Sequence, residues 1–338
     1  MMMYINFWNK KTFLSIFLFP ISLLYRSIFF IRQKLFQWAI LKSYCVEAPV
    51  IIVGNITVGG TGKTPLVIAI AHELKENGWK PAIITRGYRG KNKNWPVLVM
   101  QDSDPVLFGD EAVLLAKKTG VSVIAGPDRV ADARYAIAQS DCNVIISDDG
   151  LQHYRLQRDI EIAVIDGSVR FGNGFCLPAG PLRESVSRLK TVDFVVTNGK
   201  AEVGEYAMQF VIDTFYLLNN PEKIITVDAL KNKKIIAMAA IGNPERFFDQ
   251  LRDFGLQFSK RIFPDHYFFQ AKDLMCASDE IIIMTEKDAV KCSKFKNEKI
   301  WVASGGVTVD SGLLERLQTS INRGYARGLL DTDTSGSE

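Results

Sequence analysis

From Ala48 onward, short runs of β-branched residues alternate with stretches of helical periodicity. This alternation is typical of a parallel sheet whose strands are connected by crossover helices. The pattern therefore predicts an α/β fold with helices on both faces of the sheet. The runs that we interpret as its strands are 50–53, 82–85, 121–126, 143–147, 160–166 and 193–198.

The first of these strands leads into the glycine-rich stretch NITVGGTGKTPL, residues 55–66, and a helical pattern follows. In a P-loop, backbone N–H groups of a tight turn at a helix N-terminus converge on phosphate oxygens. Its lysine adds positive charge, and its Ser or Thr hydroxyl binds Mg²⁺. The context predicts a P-loop NTPase-like sheet. The predicted phosphate-binding residues are Thr57, Val58, Gly59, Gly60, Thr61, Gly62, Lys63 and Thr64.

One position of this loop departs from the usual pattern. Thr57 stands where the first glycine is expected, five places before Gly62. The second half of such a site is an acidic residue at the end of a neighbouring strand, and Asp148 and Asp149 follow the strand NVIIS. One of these carboxylates should hold Mg²⁺, directly or through water. The alternative for one of the two is that it caps the following segment.

Composition and periodicity suggest five segments. The loop GSVRFGNGFCLPAGPLRE, residues 167–184, is long and aperiodic, which is typical of a functional loop. The αβ rhythm restarts near Lys223 and indicates a second, smaller α/β domain. The predicted segments are an N-terminal apolar helix (1–46), a P-loop domain (47–205), an extended connector (206–222), the smaller domain (223–323) and a polar, disordered tail (324–338).

The N-terminal segment is strongly apolar. Residues 13–25 carry no charge, but Pro20 interrupts them and thirteen residues are too few to span a bilayer, which takes about 20. A wide apolar helix face with basic flanks suits a helix that lies in the headgroup region of a membrane surface. The alternatives are a signal peptide, which the lack of a small-x-small cleavage site disfavours, and a helix that covers the domain core.

Charge and cysteine usage exclude several classes of protein. The formal net charge is +4 and the basic residues are scattered, which argues against a nucleic-acid binder. The five cysteines form no CxxC pair, so neither a zinc site nor a disulfide framework is indicated, and a reducing cytosol fits best.

The nucleotide-handling class can also be narrowed. The guanine-recognition motif of GTPases, Asn/Thr-Lys-x-Asp, is missing. In TEKD (285–288) the lysine stands one position later than the motif requires, and TNGK (197–200) has no Asp. Partner-activated ATPases carry an additional lysine where Val58 stands. A kinase with a small or lipid acceptor remains. A P-loop ATPase or GTPase regulator at the membrane and a nucleotide-binding membrane scaffold stay as alternatives.

The motifs together resemble the tetraacyldisaccharide 4′-kinases, the lipid A kinases of Gram-negative bacteria. They occur in the family's order and span nearly the whole chain, and Thr57 in the loop is also similar to that family. The matching motifs are NITVGGTGKTP (55–65), TRGYRG (85–90), GDE (109–111), GPDR (126–129), DDGLQH (148–153), LPAGPLRE (177–184), FPDHY (263–267) and TEKDAVK (285–291).

The resemblance implies transfer of the γ-phosphate of ATP to the 4′-hydroxyl of a tetraacylated glucosamine disaccharide 1-phosphate, giving lipid IVA. It implies ATP and Mg²⁺ as cofactors, and a location at the cytoplasmic face of the bacterial inner membrane. The partners expected are the lipid substrate and the membrane surface, without nucleic acid or an obligate protein partner.

The resemblance also implies roles for single residues. Asp110 matches the catalytic base, and His266 the histidine that pairs with it. Arg129 and Arg183 match basic residues important for activity, and each follows a strand or lies in the long loop, from which it could reach phosphates. The further candidate catalytic residue is Lys63, and the candidate metal residues are Thr64, Asp148, Asp149 and Glu111. The plain alternatives are an N-cap for Asp110 and surface positions for the arginines.

Overall fold

The computed structural model describes residues 7–334 of the 338-residue chain, with side chains described as far as Asn322. The α-helices are α1 (Phe13–Phe17), α2 (Phe19–Gln37), α3 (Lys63–Glu76), α4 (Pro105–Phe108), α5 (Asp110–Thr119), α6 (Arg129–Gln139), α7 (Val227–Lys231), α8 (Pro244–Asp253), α9 (Glu286–Cys292) and α10 (Ser311–Thr334). The strands are β1 (Val50–Gly54), β2 (Pro81–Thr85), β3 (Val97–Val99), β4 (Ser122–Ala125), β5 (Val144–Asp148), β6 (Ile160–Asp166), β7 (Phe194–Asn198), β8 (Tyr206–Leu217), β9 (Asn220–Ile225), β10 (Lys234–Ala239), β11 (Phe258–Ile262), β12 (Glu280–Thr285) and β13 (Ile300–Val309).

Within the described residues these strands form one thirteen-stranded sheet. Its order is β11-β10-β12-β13-β8-β7-β6-β1-β5-β2-β4-β3, and β9 pairs with β8 outside this path. The pairs β3–β4, β8–β13 and β8–β9 are antiparallel, and the other pairs are parallel. The predicted α/β class is confirmed, but the sheet, predicted to be parallel, is mixed and mostly parallel.

Burial on both faces explains the continuous apolar runs of the central strands. Every residue of β1, β2, β5 and β6 is buried, as expected for parallel strands that are covered on each side. On one face, apolar residues of α3, α5 and α10 pack together against the sheet. On the other face, α6 packs with Tyr25 of α2. Helices therefore cover both faces, as the alternating pattern predicts.

The sheet continues from the first half of the chain into the second through β8. Residues 206–208 of β8 pair in parallel with β7, and nearly the whole strand pairs antiparallel with β13. The segment predicted as an extended connector is thus a central strand followed by β9. Two further apolar clusters lie on the faces of the second half, around α8 and α9. The division into two domains stays a prediction.

The two ends of the chain bear on two predictions. Residues 1–6 and 335–338 lie outside the described residues, while the backbone of α10 continues to Thr334, in contrast to the disordered tail predicted over 324–338. At the N-terminus, Ser22 of α2 is buried and donates its hydroxyl to the carbonyl of Cys176 at 2.7 Å. Among the described residues, none of the helices combines the length and apolar character needed to cross a membrane.

Candidate active site

The glycine-rich loop connects β1 to the start of α3 and has the backbone of a phosphate cradle. Gly59 and Gly62 have φ angles of +114° and +100°, in the left-handed region that favours glycine. A Cβ atom on Gly62 would lie 2.5 Å from Nδ2 of Asn198, so a side chain does not fit there. Asn198 also donates to the carbonyl of Thr61 at 3.1 Å, which holds the loop against the end of β7.

The missing first glycine has a structural explanation. Thr57 forms an isolated antiparallel bridge with Leu182, and the N–H of Val58 donates to the carbonyl of Pro181 at 2.8 Å. These contacts need an extended backbone, which any residue adopts. The long loop 167–184 is therefore fastened to the beginning of the phosphate loop. Because the Val58 N–H is engaged there, the phosphate-facing amides must come from later residues of the predicted set.

Strand register brings the acidic pair beside the phosphate loop. Val53 of β1 lies opposite Asp148 of β5, so both segments emerge at the same edge of the sheet. The Thr64 hydroxyl lies 3.4 Å from Oδ2 of Asp148, and Lys63 Nζ lies 3.5 Å from Oδ1 of Asp149. The structure thus brings together four of the predicted site residues.

The two carboxylates of this pair have opposite electrostatic environments. Burial raises the pKa of Asp148 to about 7, and the negative charge of Glu111 adds to this. Burial also acts on Asp149, but the charges of Lys63 and Arg183 outweigh it and hold its pKa at about 2. Arg183 reaches both oxygens of Asp149 at 3.1 Å. At Asp149 the cations therefore outweigh burial, whereas at Asp148 burial and Glu111 outweigh the charges of Lys63 and Arg129.

The fit of a magnesium ion can be judged from these groups. No set of three or more His, Cys, Asp or Glu side chains in the described part of the chain is arranged to hold a metal. In phosphoryl-transfer sites, however, Mg²⁺ takes only one or two protein ligands and fills its other positions with phosphate oxygens and water. The Thr64 hydroxyl and Asp148, whose Oδ1 is buried without a hydrogen-bond partner, match this donor set.

Asp110 and His266, 156 positions apart in the chain, meet at the same end of the sheet. Nδ1 of His266 lies 2.9 Å from Oδ2 and 3.0 Å from Oδ1 of Asp110. Burial raises the pKa of Asp110, but the hydrogen bond to His266 and the charges of Lys287 and Lys291 together lower it by more. The net pKa therefore lies below its ordinary value. The carboxylate is therefore ionised at neutral pH, the form in which it can accept a proton.

The loop that carries His266 is held from the first half of the chain. Arg89 donates to the carbonyls of Asp265 and His266 at 3.2 and 3.5 Å, and the Tyr88 ring makes an edge contact with the imidazole. His266 has a φ of +59° and Asp149 has one of +53°, both unusual for residues with a side chain. Such strained backbones are concentrated at functional sites.

Arg129 occupies a different place from the one expected of a phosphate-binding residue. Its side chain is 1% exposed and forms an ion pair with Asp132 at 3.3 Å. The guanidinium donates to the carbonyls of Gly126 and Asp148 at 2.8 and 3.2 Å. It thus lies beneath the turn that carries Asp148 and Asp149. Arg183, by contrast, contacts Asp149, the same carboxylate that Lys63 approaches, and its role at the phosphates stays a prediction.

Sequence reasoning missed several groups that complete the site. Lys291 is buried, with Nζ 2.8 Å from Asp288 and 3.8 Å from Asp110. Lys287 forms an ion pair with Glu111 at 2.9 Å. Glu111, a candidate metal residue, therefore already has a cationic partner. Both lysines belong to the motif TEKDAVK (285–291). Its sequence indicates helical spacing, but it does not show which carboxylates in the first half of the chain the lysines contact.

The fold and the site define a P-loop kinase: a phosphate loop, a strand-end acidic pair, and a carboxylate–imidazole pair facing them. The family model described as tetraacyldisaccharide-1-P 4′-kinase matches residues 14–322. The chain is 46% identical over 318 residues to the tetraacyldisaccharide 4′-kinase of Nitrosococcus oceani, which covers 94% of this chain and 93% of that protein. It is 44% identical over 313 residues to the enzyme of the same name from Haemophilus influenzae, which covers 91% and 92%.

A solved structure agrees with these sequence matches. The "apo" form of LpxK from Aquifex aeolicus in complex with ATP superimposes with a TM-score of 0.78 and 29% identity, over 92% of this chain and 99% of that one. The chain belongs to the tetraacyldisaccharide 4′-kinase family. Its activity is that of a tetraacyldisaccharide 4′-kinase of lipid A biosynthesis, and the resemblance inferred from the motifs is confirmed.

Proposed function

We propose that this chain transfers the γ-phosphate of ATP to the 4′-hydroxyl of tetraacyldisaccharide 1-phosphate, giving lipid IVA, with Asp110 as the base. The observation that carries the assignment is the Asp110–His266 contact at 2.9 Å, at the same sheet edge as the phosphate loop. Phosphoryl transfer passes through a loose transition state, so it depends on positioning and charge compensation more than on a strong base. An ionised carboxylate with a lowered pKa suits that requirement.

The other residues take roles that follow from their contacts. Lys63 would compensate the charge of the β- and γ-phosphates, and the amides of residues 59–64 would donate to their oxygens. Arg183 shares Asp149 with Lys63 and adds positive charge where charge develops on the transferred group. His266 orients Asp110 and takes part in carrying the proton removed from the hydroxyl. Arg129 supports the turn between Asp148 and Asp149 from below.

Thr64 and Asp148 are the residues that would hold Mg²⁺ directly, with Asp149 and Glu111 close by. When bound, the ion compensates the negative charge of the phosphate oxygens. Asp148 suits direct contact because its Oδ1 is buried without a hydrogen-bond partner and its Oδ2 lies beside the Thr64 hydroxyl. Asp149 suits an indirect role because Arg183 and Lys63 already neutralise it.

The N-terminal helices supply the membrane contact in this proposal. Their large apolar side chains are exposed, among them Phe13 at 86%, Phe17 at 70% and Leu24 at 63%. Exposed apolar faces of this extent mark interaction surfaces, and basic residues flank them, as in helices that lie in an anionic headgroup region. We place the chain at the cytoplasmic face of the bacterial inner membrane as a peripheral or monotopic protein that takes its acceptor from the bilayer.

The test is an ATP transfer assay with purified chain and tetraacyldisaccharide 1-phosphate, with and without Mg²⁺. We expect stoichiometric formation of the 4′-phosphorylated product and ADP, no added protein partner being required, and loss of turnover when Mg²⁺ is chelated. Steady ATP hydrolysis without product, rising only with a protein partner, would contradict the proposal and favour a P-loop regulator instead.

A further inference from the structure

Helix α9 belongs to the second half of the chain but packs against the first half. Its residue Val290 joins the apolar cluster that α3 and α5 form on the sheet, and α9 contacts α5 directly. Lys287 and Lys291 lie one helical turn apart, so they share one side of α9. Lys287 faces Glu111 and Lys291 faces Asp110, the first two residues of α5. The second half therefore places two cations at the start of α5.

Lys291 is the more deeply buried of these two lysines. Its side chain is 1% exposed, its Nζ lies 2.8 Å from Oδ1 of the buried Asp288, and the centroid of the Phe269 ring is 5.2 Å from Nζ. Neither Nζ nor this oxygen forms a hydrogen bond of good geometry with any residue in the described part of the chain. Buried ion pairs often stabilise a fold no more than apolar side chains of similar size. Stability alone therefore does not account for this pair.

The contacts of Lys291 bear on the orientation of the Asp110 carboxylate. The last torsion of an aspartate side chain has a broad energy minimum, so its neighbours determine the plane of the carboxylate. The N–H of Glu111 donates to Oδ1 at 3.0 Å. His266 lies against both oxygens, and Nζ of Lys291 lies 3.8 Å from Oδ2. With Lys291 in place, each oxygen faces a positively polarised group besides the imidazole.

The partner of Lys291 is connected to the other member of the catalytic pair. Oδ2 of Asp288 accepts a hydrogen bond from the N–H of Ala240 at 3.0 Å. The carbonyl of Ala240 in turn accepts one from the N–H of His266 at 3.3 Å. Lys291 thus faces Asp110, while Asp288 is linked through one residue to the backbone of His266. A single ion pair on α9 therefore contacts the surroundings of both the carboxylate and the imidazole.

We propose that Lys291 is a positioning residue of the phosphoryl transfer: held by Asp288, its ammonium keeps the Asp110 carboxylate in the orientation that receives the proton of the acceptor hydroxyl. In this step the hydroxyl oxygen forms a bond to the γ-phosphorus of ATP. The bond from that phosphorus to the β–γ bridging oxygen breaks and releases ADP, and the hydroxyl proton passes to Asp110. The inference rests on the proposed function, since it takes Asp110 as the base.

The test removes the ion pair without leaving a buried charge behind. Lys291→Met alone leaves Asp288 without its cation, which destabilises a fold strongly. The double variant Lys291→Met/Asp288→Asn removes both charges, and the asparagine oxygen can still accept from the Ala240 N–H and the Thr285 hydroxyl. We expect it to unfold at the same denaturant concentration as the unaltered chain. Its KM for ATP should stay within twofold, and its kcat should fall about tenfold, less than the roughly 10²–10³ typical of removing a direct contact.

A second comparison separates positioning from packing. In an Asp110→Ala background, the same double change should lower kcat by less than about twofold, because the carboxylate that Lys291 orients is gone. A role limited to the packing of α9 would lower kcat by the same factor in both backgrounds, as independent changes do. Single-turnover measurements with γ-labelled ATP follow the product in the slow variants.

Lys294→Met is the matched control. Lys294 follows α9, is exposed, and has its Nζ 5.4 Å from the centroid of the Phe295 ring, a contact similar to that of Lys291 with Phe269. It removes the same charge and the same kind of ring contact without a carboxylate of the site nearby. We expect kcat to stay unchanged in both backgrounds.

The outcomes decide the assignment. Full kcat in the double variant at unchanged stability would overturn the positioning role of Lys291, and so would equal losses in the two backgrounds. A loss of kcat that depends on Asp110 supports it. If the unaltered chain forms no 4′-phosphorylated product, the proposed function itself fails and this role with it.

Discussion

Lys63 is the lysine that we expect to compensate the charge of the phosphates. Its Nζ lies beside Asp149 at the start of α3, in the position from which a P-loop lysine compensates phosphate charge. We expect Lys63→Ala to lower kcat by about 10²–10³, the loss typical of removing one preorganised electrostatic contact. Lys75→Ala, an exposed lysine in the last turn of the same helix, should keep kcat unchanged. Normal kcat in folded Lys63→Ala would disprove the P-loop assignment.

Asp110 and His266 should behave as one unit, because the imidazole contacts both oxygens of the carboxylate. Groups that act together give non-additive losses. We expect the double Ala variant to be at most about threefold worse in kcat/KM than Asp110→Ala alone, with ATP binding nearly unchanged in all three. The measurement is kcat/KM for both single variants and the double variant. Losses that multiply would mean that the two residues work independently.

Arg129 should contribute to the free energy of unfolding, which a role limited to phosphate contact would not require. Its removal leaves Asp132 buried without its partner and the Asp148 carbonyl without its donor. Breaking a buried ion pair by removing one partner costs about 3 kcal/mol of unfolding free energy. We expect this loss for Arg129→Met in chemical denaturation at pH 7, against less than about 0.5 kcal/mol for the exposed Arg134→Met on the same helix. Equal stability of the two variants would argue for direct phosphate contact instead.

At the scale of elements, α1 and α2 should deliver the enzyme to its lipid acceptor rather than take part in chemistry. Removing residues 1–34 should weaken binding to anionic liposomes and raise KM for bilayer-embedded acceptor. Because the deletion also removes the Ser22 contact to the core, a milder variant is needed.

The double variant Phe17→Ser/Leu24→Ser is this milder change. Both side chains are exposed, and each substitution removes apolar surface that would be buried in the membrane. Val203→Ser, which removes a fully exposed apolar side chain elsewhere, is the control. Sedimentation with liposomes should fall for the helix variant and stay unchanged for the control. Undiminished sedimentation of both the deletion and the helix variant would show that the membrane interpretation is wrong.

At the scale of the whole molecule, the active site depends on contacts between the two halves of the chain. Lys118 of α5 reaches Glu286 at 2.9 Å and the carbonyl of Gly305 at 3.3 Å. These bonds help to hold the half that carries His266 against the half that carries Asp110. Weakening them should slow the step that assembles the pair without touching the phosphate loop.

We therefore expect Lys118→Met to lower kcat about fivefold, equivalent to about 1 kcal/mol, with KM for ATP unchanged. Lys117→Met, an exposed neighbour on the same helix, should have no effect on kcat. Single-turnover measurements would check that the change lies in product formation. If Lys118→Met keeps full kcat, this bridge does not contribute to the approach of the two halves.

The sequence by itself determined the local elements and the chemistry carried by contiguous motifs. Apolar runs of four to seven residues identified the central strands, because strands buried on both faces need continuous apolar surface. The phosphate loop and the pair Asp148–Asp149 were found because each lies directly after such a strand. The motif resemblance then linked Asp110 with His266, which local spacing alone cannot do.

Only the tertiary structure decided how distant segments meet. The antiparallel pairing of β8 with β13, which makes one sheet of both halves, joins segments about ninety residues apart, and no local pattern encodes such a partner. The same holds for Thr57 against Leu182, for Lys291 against Asp110 and for the burial of Arg129 beneath the acidic turn. Periodicity reports which face of an element is apolar, but the partner of a buried charge is set by packing between elements.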